Sequence, residues 1–201
     1  MTIILHDGKI YHSQTKDVEG DFRMNNNAET FRRVCSFYVS DWHLITMLLP
    51  YISKQVDQKV NVQTILENSI QQNIQTLLSK LQIDNEEKIL QINWNSKNLL
   101  KYKSLENYMD KVTEEQKQLL LIVTGTKEYI SNINSNIDKY VQTHQKLLQS
   151  KNSKIKVINC YEVMQFNDNM EEVLNKHDRV LNTSGEKEIE EVFEGYHRKQ
   201  A

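Results

Sequence analysis

Thr124-Gly125-Thr126-Lys127 is the stretch of this 201-residue chain that comes nearest to phosphate chemistry. It follows an apolar run and opens a helical pattern, the place where a glycine-rich turn lets successive backbone N–H groups curl around a phosphate. The spacing defeats that use. A phosphate loop reads Gly-x-x-x-x-Gly-Lys-Ser/Thr, and here Leu120 takes the place of the first glycine while Thr126 separates Gly125 from Lys127. The dinucleotide fingerprint Gly-x-Gly-x-x-Gly is missing too, because the glycines at 8, 20, 125, 185 and 195 are scattered. No cofactor is expected.

Nucleophilic and metal chemistry find little more support. None of the six histidines pairs at i, i+4 with a neighbouring Glu, so no zinc-hydrolase helix and no metal site are expected. His144 falls on an apolar helical stripe and reads as a packed residue, and His43 reads as a surface residue in the first turn of its helix. Cys35 and Cys160 lack the C-x-x-C pairing of a redox or metal site and read as small buried hydrophobes. A thiol nucleophile at Cys160 would need Glu162 and His177 brought beside it, and nothing in the spacing requires that. With no Gly-x-Ser-x-Gly elbow either, binding is a better expectation than catalysis.

Where would a ligand sit? In an open parallel sheet, ligands bind outside the carboxyl ends of the strands, where loops and helix N-termini supply donors. The candidate rim is therefore Tyr38, Ser40 and Asp41 after the first long strand, Trp94 after a third, Thr124, Gly125 and Thr126 after the fourth, and Tyr161 with Glu162 after the fifth. Phe37, Tyr38, Trp42, Tyr51 and Trp94 either line an apolar pocket at those strand ends or pack strand against helix.

Strands alternating with helices must position that rim. Val34 to Val39, the alternation at Val60 and Val62, Lys88 to Trp94, Gln118 to Val123, Ile155 to Ile158 and Arg179 to Asn182 read as strands. Between them lie helical patterns: Leu44 to Val56, which Ser40 or Asp41 caps and Pro50 kinks, and Ile70 to Leu81, with Asn68 and Gln71 as a capping box. A short helix follows at Leu105 to Val112, then a long one from Ile130 to Leu147 whose near-3.5-residue stripe covers the sheet or meets a partner helix. Asp168 and Glu171 read as the cap of a short helix, and Thr183 and Glu186 as the cap of the last. Ahead of all this, Asp7-Gly8 between β-prone runs predicts a hairpin, and Ser13 to Asn27 reads as a polar linker. Residues 1–27 thus form a peripheral piece, and 28–201 one α/β domain with parallel strands and right-handed crossovers.

Charge narrows the partners. With 25 basic and 27 acidic residues intermixed, the net charge of -2 argues against a nucleic-acid or anionic-membrane surface. The longest apolar stretch, Leu119 to Val123, is far short of the roughly 20 residues of a membrane span. Lacking a signal peptide, the chain is expected to be cytoplasmic with reduced thiols.

Two groups of residues resemble one known family along about three quarters of the chain. Val34-Cys35-Ser36-Phe37-Tyr38, Leu44 and Leu48-Leu49-Pro50-Tyr51-Ile52 look like the opening of the MEDS sensory domains, named for methanogens, methylotrophs and a dichloromethane-responsive repressor. Cys160-Tyr161-Glu162 with Phe166, then Leu174-Asn175-Lys176-His177-Asp178-Arg179-Val180-Leu181, resembles that family's last strand, short helix and histidine-containing close. The chain departs from it at Gln58-Lys59, where a glycine-rich turn is usual, and at Arg33, where a His is common. The resemblance implies a RecA-like, mostly parallel sheet of about five to six strands with flanking helices and no working phosphate loop. It also implies a sensory or regulatory module that binds a small ligand, apolar in this reading, or a protein partner. The alternative is an interaction module that needs no small ligand, meeting its partner through the long helix or the hairpin edge.

Overall fold

The apolar run Leu119 to Val123 is buried on both faces, and a strand of that kind belongs inside a sheet covered by helices on both sides. That is the architecture of the computed structural model, which describes residues 5–6, 9–10, 30–81, 84–114, 118–165 and 170–196. In chain order the long elements are β3 (Phe31–Tyr38), α1 (Asp41–Asp57), β4 (Asn61–Leu66), α2 (Gln71–Leu78), α3 (Glu86–Gln91) and α4 (Tyr102–Glu114). They continue as β5 (Gln118–Thr124), α5 (Lys127–Thr143), α6 (Gln145–Ser150), β6 (Lys154–Glu162), α7 (Met170–Leu174), β7 (Arg179–Asn182), β8 (Gly185–Glu188) and α8 (Ile189–Val192). The sheet order is β4-β5-β6-β3-β7-β8, parallel throughout except for the antiparallel pair β7 and β8.

Alternation along the strands builds two cores. Val34, Leu120, Ile122, Ile158 and Cys160 point to the face covered by α1, α2 and α3. Their neighbours Cys35, Leu119, Leu121, Val123, Val157 and Tyr161 point to the face covered by α4, α5, α6, α7 and α8. Ahead of the sheet, β1 (Leu5–His6) pairs antiparallel with β2 (Lys9–Ile10), Leu5 opposite Ile10. The Asp7-Gly8 turn and the linker from Ser13 to Asn27 lie outside the described residues.

Three expectations are corrected. Lys88 to Trp94 is not a strand: Glu86–Gln91 forms α3, with Glu86 and Glu87 in its first turn, where carboxylates favour the positive end of the helix. Trp94 turns back beneath this helix, its Nε1–H donating to the Ile89 carbonyl at 3.0 Å. Among the described residues, one isolated bridge, Leu66 to Ser96, continues the sheet edge there. The second correction concerns α2, which has no Asn68 and Gln71 capping box. It starts after Ile70, whose N–H donates to the Trp94 carbonyl at 3.1 Å, so tertiary backbone bonding replaces the side-chain cap.

The third concerns Glu186, which caps no helix. Residues 185–188 form β8, which returns along β7 with Gly185 opposite Asn182 at a φ of +104°. Gly accepts that conformation without strain, and the tight turn therefore wins over the capping pattern. Elsewhere α1 runs unbroken through Pro50, and the long helix stops at His144, whose ring stacks on Tyr140 with centroids 4.3 Å apart. Met170–Leu174 forms the short helix expected there, while Asp168 lies outside the described residues.

Candidate functional site

The chain leaves β3 toward the α1 face and leaves β6, its neighbour, toward the opposite face where α7 packs. This is a topological switch point, the position where open α/β sheets form a crevice. Much of the expected rim lies around it, mostly spent on holding the fold. Ser40 Oγ caps α1 by accepting from the His43 N–H at 3.3 Å, and Asp41 accepts from Asn73 Nδ2 at 3.3 Å. The Tyr38 hydroxyl lies 3.2 Å from Thr124 Oγ1, and burial raises its pKa.

The turn at Thr124-Gly125-Thr126 carries the sharpest geometry. Thr126 caps α5 by accepting from the Tyr129 N–H at 3.2 Å, and its own N–H donates to Glu67 Oε2 at 2.5 Å. Glu67 is tied down in turn, its N–H donating to the Thr124 carbonyl at 2.9 Å. The chain thus places its own carboxylate at the N-terminus of α5, where a phosphate would otherwise find donors. Gly125 permits this approach: a Cβ there would meet Glu67 Oε2 at 2.7 Å and Tyr129 Cδ1 at 2.8 Å.

The remaining candidates diverge. Trp94 is 0% exposed in the α1-side core, whereas Tyr161 lies on the other face, stacked with Phe37 at 6.0 Å and edge-on to His177 at 5.8 Å. Glu162 is half-buried at the end of β6. Phe37, Tyr38, Trp42, Tyr51 and Trp94 line no common pocket: Phe37 packs on the α5 face, Trp42 is exposed, and Tyr51 donates to Glu186 at 3.1 Å. Cys160 and His177 also belong to opposite faces, and burial pushes the Cys35 thiol up to about 12 and raises Cys160 as well.

Beside the switch point, between α5 and α7 on the other face, is a cavity of about 250 Å³ whose mixed lining includes Arg33, Asn134, Asp138, Tyr161 and His177. Arg33 Nη2 donates to Asp138 Oδ1, and its backbone N–H donates to Asp178 Oδ2 at 2.7 Å. His177 Nδ1 meets the Val173 carbonyl at 2.6 Å, and behind the lining Asn159 Nδ2 meets His177 Nε2 at 2.8 Å. A carbonyl only accepts, so the network assigns the proton to Nδ1 and leaves Nε2 to accept from Asn159. Burial holds His177 neutral, its pKa lowered to about 4. At the mouth, Glu172 takes Lys176 at 2.8 Å and Lys127 at 3.0 Å, and these two ammonium groups lower its pKa to about 2.

Hydrogen-bonding capacity is left over at this cavity. Among the described residues, Arg33 Nε, Asn134 Oδ1, Asn159 Oδ1 and Arg179 Nε are the buried side-chain polar atoms without a partner; Arg33 and Asn134 line this cavity, and Asn159 lies behind its His177 wall. Each such atom costs about 1 to 3 kcal/mol relative to a satisfied one, so two in one cavity and a third behind its wall call for an explanation. From sequence Arg33 stands out only as a departure from the MEDS pattern and Asn159 not at all, although a lone Asn inside Ile155 to Cys160 is a visible break in an apolar strand.

Among the described residues, no group of three His, Cys, Asp or Glu side chains is placed to hold a metal ion, and no helix is long and apolar enough to cross a membrane. Compared with protein-family models, with curated proteins and with solved structures, the chain matches none.

Proposed function

We propose that this chain is a sensory or regulatory binding protein, non-catalytic, whose ligand is a small polar molecule taken up between α5 and α7. The observation that carries this reading is the set of unsatisfied buried polar atoms on Arg33 and Asn134, which line one cavity, and on Asn159, directly behind its His177 wall. These atoms are covered, so a ligand engages them only when side chains rotate, and the rotation displaces the His177 contacts that tie β6 to α7. Such coupling of occupancy to packing is what a sensor requires. The resemblance of residues 174–181 to the closing segment of the MEDS sensory domains supports the same reading, because His177 lies within that segment.

The ligand must offer an acceptor to Arg33 Nε and donors to the amide oxygens, within about 250 Å³. Free α-amino acids and small amides meet that description. Titration calorimetry of the full chain against the common amino acids, acetamide and urea is the test. Binding by one of these, weakened by Arg33→Gln and by Asn134→Leu, is the expected result. Uniform absence of binding, or affinity indifferent to both substitutions, would remove the reading.

A protein partner is a second reading, favoured by a separate observation. Val39 and Met164 are 60% and 79% exposed just beyond the paired ends of β3 and β6, and Trp42 lies close by at 47%. Apolar side chains grouped at one sheet edge suit a partner's surface. Crosslinking through a cysteine introduced as Met164→Cys tests it.

A further inference from the structure

Arg32 and Arg33 are consecutive in β3, so their side chains leave opposite faces of the sheet. Arg33 serves the cavity described above. Arg32 reaches a second one, of about 510 Å³, at the amino-terminal ends of the strands beneath the end of α1. Strand register explains what gathers there. Arg32 pairs with Lys156, and Lys156 with Leu120, which places the three in one row across β3, β6 and β5 on the α1 face. Two residues earlier, Lys154 pairs with Gln118 and continues the same face. Gln55 and Gln58 close the cavity from the end of α1, over an apolar floor that includes Val60 and Leu120.

Charge in this cavity is unbalanced. Lys156 Nζ donates to Glu186 Oε2 at 2.7 Å and to the Tyr51 hydroxyl at 3.1 Å, so its charge is met. Arg179 is met by Glu188 at 3.0 Å. Arg32 reaches Glu186 only at 3.9 Å, sharing a carboxylate already committed to Lys156, and Lys154 has no ion pair among the described residues. About two positive charges therefore face a concave, partly apolar space. The carboxyl end of α1 contributes about half a negative charge, too little to offset them.

We propose that this amino-end cavity binds a small organic dianion, a phosphomonoester or a dicarboxylate. The dianionic head meets Arg32 and Lys154, while the Gln55, Gln58 and Gln118 amides supply donors and acceptors for the rest of the molecule. A guanidinium beside a flexible ammonium accommodates either head group, so the shared feature is charge and size. The site lies on the opposite face from the α5 and α7 cavity and stands or falls without it.

The test is an NMR titration of the uniformly ¹⁵N-labelled full chain with three probes: inorganic phosphate, glycerol 3-phosphate and succinate. Binding of glycerol 3-phosphate or succinate is expected to shift the backbone amides of Gln55, Gln118 and Lys154 and to leave those of Ser131 and His177 in place. Arg32→Gln and Lys154→Gln, both changes of solvent-facing charge that leave the core intact, are expected to weaken binding by about tenfold each. Affinity should fall as salt is raised. No shift with either organic probe, shifts confined to the α5 and α7 cavity, or equal affinity in both variants would overturn the proposal. Phosphate alone shifting the same amides would overturn it too, since it would show an inorganic ion site.

Discussion

Asn159 and His177 meet at 2.8 Å inside the α5-side core, joining the middle of β6 to the segment that follows α7. The pair works only while His177 is neutral, because Nε2 must accept from the Asn159 amide.

That requirement fixes an acid response. His177 has a pKa of about 4 in the folded chain against an ordinary 6.5, so between those values the unfolded chain binds a proton that the native one refuses. Stability is full above pH 6.5 and falls as pH drops toward 4, with a loss of about 3 kcal/mol. Urea denaturation of wild type and His177→Gln over this range checks it. The variant should lose the pH dependence; a parallel fall in both would refute the assignment.

Lys97 gives a response of the same sign in an alkaline window. Its Nζ donates to the Thr64 carbonyl at 2.9 Å and the Tyr108 hydroxyl at 3.0 Å, over the Tyr108 ring, and burial lowers its pKa from 10.5 to about 8. Since the unfolded chain holds this proton to higher pH, the burial penalty is relieved as pH rises from about 8 to 10.5. Wild type should therefore gain stability relative to Lys97→Met across that window, in paired thermal melts. An unchanged difference would show that the ammonium is better hydrated than its contacts imply.

At the strand-to-helix turn, Gly125→Ala should destabilise by about 1 to 3 kcal/mol, because the new methyl meets Glu67 and Tyr129 at under 3 Å. Thr126→Ala should cost about 1 kcal/mol through the lost cap of α5. Chemical denaturation measures both. A neutral Gly125→Ala would mean that the turn relaxes away from Glu67 at little cost.

The two tryptophans should differ sharply in fluorescence. Trp94 is fully buried and Trp42 is 47% exposed, so acrylamide should quench Trp94→Phe protein strongly and Trp42→Phe protein weakly. Trp94→Ala should cost about 3 to 5 kcal/mol. Equal quenching of the two single-tryptophan proteins would contradict the packing of Trp94 under α3.

The parts of the fold that could be read from sequence are those where one pattern acts alone. Leu119 to Val123 is apolar at every position and bounded by the Thr124-Gly125 turn, as an interior strand is, and Ile130, Ile133, Ile137 and Tyr140 keep helical spacing along a whole helix. Lys88 to Trp94 misled because a short apolar run does not distinguish strand from helix, and the choice is made by contacts at long range. Glu186 misled for a similar reason: its capping position competes with Lys156 and Tyr51, which lie far away in sequence. At the site, Tyr38, Ser40 and the Thr124 turn could be placed at the carboxyl edge from strand ends alone. The cavity could not, because it depends on register, which sends Arg33 and Asn159 to the α5 face and Arg32 to the other.

The position of β3 also bears on how the chain is made. β3 precedes the rest of the sheet in synthesis, yet its only sheet partners among the described residues are β6 and β7. Its sheet pairing therefore cannot be completed until the last quarter of the chain is made. Until then β4 and β5 can pair with each other but have no centre to join. An unpaired apolar strand is the feature that chaperones bind and that seeds aggregation. Arg32 and Arg33, side by side in that strand, are charges of the kind that oppose such association.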